Sequence, residues 1–179
     1  MAKFFDSLTD ALIRFIEQQH MFFVASAPAN GRINLSPKGM DTFRCLDAST
    51  VAYLDLTGSG NETSAHILDN GRITIMMCGF EQEPIILRLY AHGEIIRPGT
   101  PRWEELAPKF EVLPGARQIV VANINSVQTS CGFAVPRYDF VEHRQKLVKW
   151  AEKQGPDGLV EYRNKKNRTS IDGAPTGLE

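Results

Sequence analysis

The sequence predicts a mainly β (α+β) fold: an antiparallel sheet or barrel of about six strands with peripheral helices. Three observations lead there. Short runs rich in β-branched and aromatic residues recur along the chain, at 21–27, 51–56, 72–78, 84–97 and 119–127. Turn residues, rather than long helices, join most of them. Helical periodicity is strongest near the two ends.

The first element reads as a helix. Ser7 is placed to cap it, with Asp10 three residues on in a capping-box-like position, and Leu8, Leu12, Phe15 and Ile16 share one face. The helix is expected to end near Gln19. Residues 21–27 are apolar and aromatic, and short enough for a buried strand. Pro28-Ala29-Asn30-Gly31 is a turn, because Pro fixes φ and Asn-Gly tolerates positive φ. Residues 32–36 alternate polar and apolar, so the first two strands make a hairpin. A further strand follows at 51–56 and a short helix at 65–69. Strands at 72–78 and 84–97 come next, with Gly93 as a candidate bulge. Residues 103–107 fit one helical turn, with Trp103 packing, and 119–127 is a β-branched strand. Residues 141–153 read as an amphipathic helix with Leu147, Val148 and Ala151 inward, stopped by Gly155-Pro156. A short helix is expected over 159–165. The polar tail from Thr169 reads as an arm or a disordered end.

The 179 residues, 42% hydrophobic and 23% charged, suffice for one packed core. No apolar run approaches the ~18–20 residues that a membrane span needs. The N-terminus lacks the order of a signal peptide, so a cytoplasmic protein with no membrane partner is expected. Twenty basic against twenty-one acidic residues argue against a nucleic-acid partner. Residues 137–168 are locally basic, with nine Lys/Arg against five Asp/Glu, which fits a solvated helical face or an anion or subunit contact. Cys45, Cys78 and Cys131 are widely spaced and imply no disulfide framework. His20, His66, His92 and His143 show no metal-ligand spacing, so no metal site is expected.

Two segments carry candidate chemistry. Asn34-Leu35-Ser36-Pro37-Lys38-Gly39 ends a strand with a hydroxyl, a rigid exit, a cation and a glycine. Ser36 and Lys38 suit an anionic oxygen, and Gly39 lets backbone approach a ligand. An ordinary strand end with a solvent-facing lysine fits the same residues. Gly58-Ser59-Gly60-Asn61-Glu62-Thr63 precedes a helix whose free N–H groups suit an anion, or in which Asn61 simply caps the helix. The Gly58-x-Gly60 spacing, with Glu81 about twenty residues later, also invites a dinucleotide site. Against that, Thr63 stands at the third glycine position, a hairpin precedes the segment, and no run of βα units follows.

These segments, in the order helix, hairpin with N-L-S-P-K-G, strand Y-L-D-L, glycine-rich helix start and hairpin R-I-T-I-M-M…I-I-L-R-L-Y-A-H-G, resemble the pyridoxamine 5′-phosphate oxidase-related split β-barrels. The resemblance covers residues 5–135. Ser130-Cys131-Gly132-Phe133-Ala134-Val135-Pro136 and Ser170-Ile171-Asp172-Gly173 are similar to an uncharacterised branch of that superfamily. It implies a split-barrel domain over 1–136 with a helical region and tail at 137–179. It also implies a homodimer, FMN bound at the dimer interface, and an oxidoreductase acting on a small-molecule substrate. The competing implications are a non-catalytic flavin- or haem-binding protein of the same fold, or a deazaflavin or biliverdin reductase. The matching cofactor positions are Ser36, Lys38, Gly39, Asn61, Thr63 and Arg88. Asn61 and Glu62 replace the oxidase's Arg-Lys pair, and its C-terminal substrate motif is not recognisable, so oxidation of pyridoxamine phosphate itself is not implied. Glu62 is expected to face away from a bound anion. No protein acid or base is assigned: His66, His92, Cys131 and Trp150 read as packing or surface residues. The stretch 163–173 is expected to cross to the partner subunit and close its cleft.

Overall fold

The computed structural model describes residues 2–81 and 83–178. One eight-stranded sheet, antiparallel at every pairing, runs in the order β3-β2-β6-β7-β8-β5-β4, and β1 joins it along β8. The strands are β1 (Lys3–Phe5), β2 (Phe22–Ser26), β3 (Asn34–Lys38), β4 (Phe43–Cys45), β5 (Thr50–Leu56), β6 (Arg72–Cys78), β7 (Ile85–Ile96) and β8 (Ala116–Cys131). Four helices flank them: α1 (Asp10–Glu17), α2 (Glu62–Asn70), α3 (Pro101–Leu106) and α4 (Lys146–Lys166). This is a half-barrel with peripheral helices. The expected hairpin is β2–β3, with Val24 opposite Ser36.

The sheet curls around a core of alternate residues: Phe22 and Val24, Ile73, Ile75 and Met77, Leu87 and Leu89. Leu12, Phe15 and Ile16 of α1 close it. Each fully buried Leu or Ile contributes roughly 1.5–3 kcal/mol relative to exposure. β5 and the first half of β8, residues 117–122, are buried on both faces. Their reverse face, with Ala52, Leu54, Ile119 and Val121, packs under Leu106 and Phe110. That is why these two strands read as continuous apolar runs rather than alternating ones.

Several local expectations are corrected. Thr9, not Ser7, caps α1: its hydroxyl accepts from the Leu12 N–H at 3.4 Å. The bulge lies opposite Tyr90/Ala91, where the β7–β8 register jumps from Ser126 to Ile124. Gly93 answers a different need, because a Cβ there would meet Ile67 Cδ1 at 2.6 Å, so the glycine lets α2 settle on β7. Gly71 closes α2 in the left-handed region (φ 72°), its N–H donating to the Ile67 carbonyl. Helix α4 begins at Lys146 rather than at 141, leaving Leu147 38% exposed while Ala151 is buried. The preceding residues are held by tertiary contacts instead of a helix. The Tyr138 N–H donates to the Phe80 carbonyl at 2.8 Å, and Phe140 stacks on His20 with ring centroids 3.7 Å apart. As expected, Gly155 (φ 66°) and Pro156 break α4, and a second helical stretch follows to Lys166.

The tail corrects the expectation of an arm or a disordered end. Ser170 and Thr176 are buried, Thr169 bridges to Pro175, and the Thr176 N–H donates to the Arg168 carbonyl at 3.0 Å. The segment lies on α2 of its own chain, where the Thr176 carbonyl finds donors. The Ser64 hydroxyl donates to the Thr176 carbonyl at 2.7 Å.

Candidate functional site

The period-2 geometry of β3 places Asn34, Ser36 and Lys38 on one face and Leu35 and Pro37 on the other. The first set looks toward the start of α2 and the end of β5. There a cleft of about 440 Å³ is bordered by Asn34, Ser36, Lys38, Asp55, the Gly58–Gly60 turn and Thr63, with Arg117 at its back. The Asn34 amide donates to the Ser36 hydroxyl (3.3 Å) and to the Thr63 hydroxyl (3.2 Å), tying β3 to α2.

Beneath the cleft lies a buried polar network. The Asp55 carboxylate, 2% exposed, accepts from Lys38 Nζ at 2.9 Å, Arg117 Nε at 2.7 Å and Gln118 Nε2 at 2.8 Å. Burial pushes its carboxyl up, but the Lys38 and Arg117 charges and the bonds they donate outweigh this and hold it well below the usual carboxylate range. Lys38 is also 5.5 Å from the centroid of the Tyr53 ring. Arg117 reaches onward to the Gly60 carbonyl (2.8 Å) and Asn167 Oδ1 (2.9 Å), while Asn167 Nδ2 donates to the Gly58 carbonyl (3.0 Å). Two cations meeting one carboxylate leave this group with one positive charge, which suits an anion placed over the glycine turn.

Asn61 does not cap α2 with its side chain. It is buried below the turn, where Oδ1 accepts from Gln118 Nε2 at 3.0 Å and Nδ2 has no protein partner. Glu62, expected to face away, borders the cleft instead. Its carboxylate bends back over Gly60 and accepts the Ile171 N–H at both oxygens, 3.2 and 3.0 Å. Gly39 sits against the His20 carbonyl and the His143 ring, so its missing Cβ serves protein packing. Arg88 stands apart from this group on the outward face of β7, opposite Met76 and Gln128, and donates to the Ser130 hydroxyl at 3.2 Å.

A second, larger cavity of about 1030 Å³ opens beside the first, between the end of α1, the end of β3 and residues 138–144. Lys38 borders both. Phe80, Tyr138, Phe140, His20 and His143 supply most of its ring surface.

His66 is more buried than a surface role allows. At 2% exposure its Nδ1 pairs with the Ser26 hydroxyl at 2.9 Å, and its Nε2 has no protein partner. Sequence reading missed Asp55, Arg117 and Asn167. A signal was present for the first two, since each is a charge set into or beside an apolar β run, where an unpaired charge is costly and a paired one is informative.

Residues 8–131 match the family model described as pyridoxamine 5′-phosphate oxidase. The chain belongs to this family. Within it, a family protein of Aspergillus flavus, ustO, is 41% identical over 193 residues, covering 98% of this chain and 78% of that one. Solved structures of the same fold include HupZ of Group A Streptococcus (19% identical, 67% of this chain and 92% of that, TM-score 0.55). A candidate pyridoxamine 5′-phosphate oxidase of Lactobacillus delbrueckii is 23% identical (69% and 94%, TM-score 0.55). An FAD-binding protein of Mycobacterium smegmatis is 12% identical (70% and 97%, TM-score 0.51). These likenesses place the half-barrel in the split-barrel fold, among neighbours that include a flavin-binding protein. Among the described residues, no helix is long and apolar enough to cross a membrane, and no group of His, Cys, Asp or Glu is arranged to hold a metal.

Proposed function

We propose that this chain binds FMN and is an FMN-dependent oxidoreductase of a small molecule, working as a homodimer. One observation carries the reading: Ser36, Lys38, Thr63 and Arg117 surround the Gly58–Gly60 turn in one cleft with a surplus positive charge. Hydroxyls, two cations and a helix start are what a phosphate and its polar chain require. The buried, unpartnered Asn61 amide just below adds a donor without a protein acceptor. The larger cavity adjoins at Lys38. Its volume sits at the upper end of the ~300–1,000 Å³ usual for ligand sites, enough for a flat ring with a small substrate.

When bound, the flavin supplies the electron chemistry. Ser36, Lys38, Thr63 and Arg117 would hold its phosphate end. Arg88, on the outward sheet face and apart from the cleft, belongs to the site in this reading as part of a homodimer. Tyr90 and Gln128 share that face with it, and the Tyr90 hydroxyl donates to Gln128 Oε1 at 2.8 Å.

Mass spectrometry of the ligand released from purified protein tests the reading. FMN is the expected species, with flavin absorbance in the native protein. A protein that carries no flavin and takes up none on titration overturns it.

A further inference from the structure

We infer that the C-terminal strap, residues 167–176, is a working wall of the anion cleft that sets its charge; this rests on the FMN reading above. Three contacts argue it, each linking the strap to a different charged group of the cleft. Asn167, fully buried, is wedged between Arg117 and the Gly58 carbonyl, so it fixes the guanidinium relative to the glycine turn. The Ile171 N–H takes both oxygens of Glu62, the one carboxylate at the start of α2. Asp172 takes Arg32 at the mouth, through the Arg32 N–H at 2.7 Å and a guanidinium contact.

The strap is built to stay there. Thr176 is buried, its hydroxyl donates to the Asn167 carbonyl at 2.5 Å, and its own carbonyl receives Arg97 and the Ser64 hydroxyl. Arg97 also donates to Ser64 Oγ at 2.9 Å and to Gln118 Oε1, and Gln118 donates to Asp55. The strap and the Lys38–Asp55–Arg117 group are therefore one hydrogen-bonded unit.

The consequence concerns Glu62. A free carboxylate in the first turn of α2 competes with a phosphate for the same N–H groups and repels it. The Ile171 N–H draws that carboxylate to the strap and offsets part of its charge. Ile171 and Asn167 are thus positioning residues, acting through Glu62 and Arg117.

A double-mutant comparison tests this, with FMN and, separately, inorganic phosphate as probes in calorimetric titrations. Ile171→Pro removes the N–H that Glu62 accepts while also fixing φ there, and a chain ending at Arg168 removes the strap beyond Asn167. Both are expected to weaken FMN binding about ten- to a hundredfold. Adding Glu62→Gln to either is expected to restore most of the loss, and to do more there than in the full chain. A merely structural strap gives no such rescue. Unchanged affinity in both variants, a loss that Glu62→Gln does not relieve, or tighter binding by the shortened chain (an occluding plug) overturns the inference. If the intact chain itself binds neither probe, the FMN reading fails with it.

Discussion

Lys38 Nζ lies 2.9 Å from Asp55 Oδ1, so the cation that the sequence offers to a phosphate is already held by a buried carboxylate. Asp55 fixes where the charge sits, and the second cation, Arg117, restores the surplus that the ion pair removes. The arrangement resembles a preset anchor more than a free lysine on a solvated strand end.

Lys38→Ala is expected to weaken FMN binding. A charge-assisted bond to an anion is worth about 1.5–3 kcal/mol, or roughly ten- to a hundredfold in affinity. Flavin fluorescence titration measures it, and equal affinity in wild type and variant refutes the role.

Asp55 makes stability pH-dependent in the acid range. Its folded-state pKa is depressed below the ordinary 3.8, so its contribution is fully present above that value and is lost as pH falls through the folded value. Urea midpoints are expected to decline below about pH 4, with a shallower decline in Asp55→Asn. That variant is also expected to lose roughly 3–5 kcal/mol at neutral pH, because Lys38 and Arg117 lose the buried charge they share. A parallel decline in both proteins counts against the assignment.

Light scattering is expected to give about twice the 20.0 kDa chain mass. Tyr90→Glu, on the outward face beside Arg88, is expected to yield monomer with reduced flavin affinity. A wild-type monomer at micromolar concentration that still holds flavin removes the dimer from the site.

Thiol labelling should separate the cysteines by burial. Cys131 is exposed, whereas burial, with Glu17 adding to it, pushes the Cys45 thiol up to about 11, and burial raises Cys78 as well. One fast-reacting thiol per native chain is expected, at Cys131 by peptide mapping. Fast labelling of Cys45 contradicts its placement.

What the sequence determined by itself is the local and periodic part. Phe22–Ser26, Arg72–Cys78 and the α1 face announce themselves because burial on one side imposes a period that neighbours in the chain share. Ser36, Lys38 and the Gly58–Thr63 turn were legible as an anion candidate for the same reason, since strand ends and helix starts expose particular groups wherever they occur. What only the tertiary structure decided is what those groups do once paired. Whether Lys38 is free or held depends on Asp55, 17 residues away, and whether Arg117 faces the cleft depends on Asn167, 50 residues away. Residues 141–145 fall outside the helix expected of them, with His143 held by Met40 and His20, and the polar tail gained its order through contacts with distant elements. Hydrogen bonds between segments that far apart leave no spacing in the chain, because it is the sheet's folding on itself, and not the sequence interval, that sets their distance.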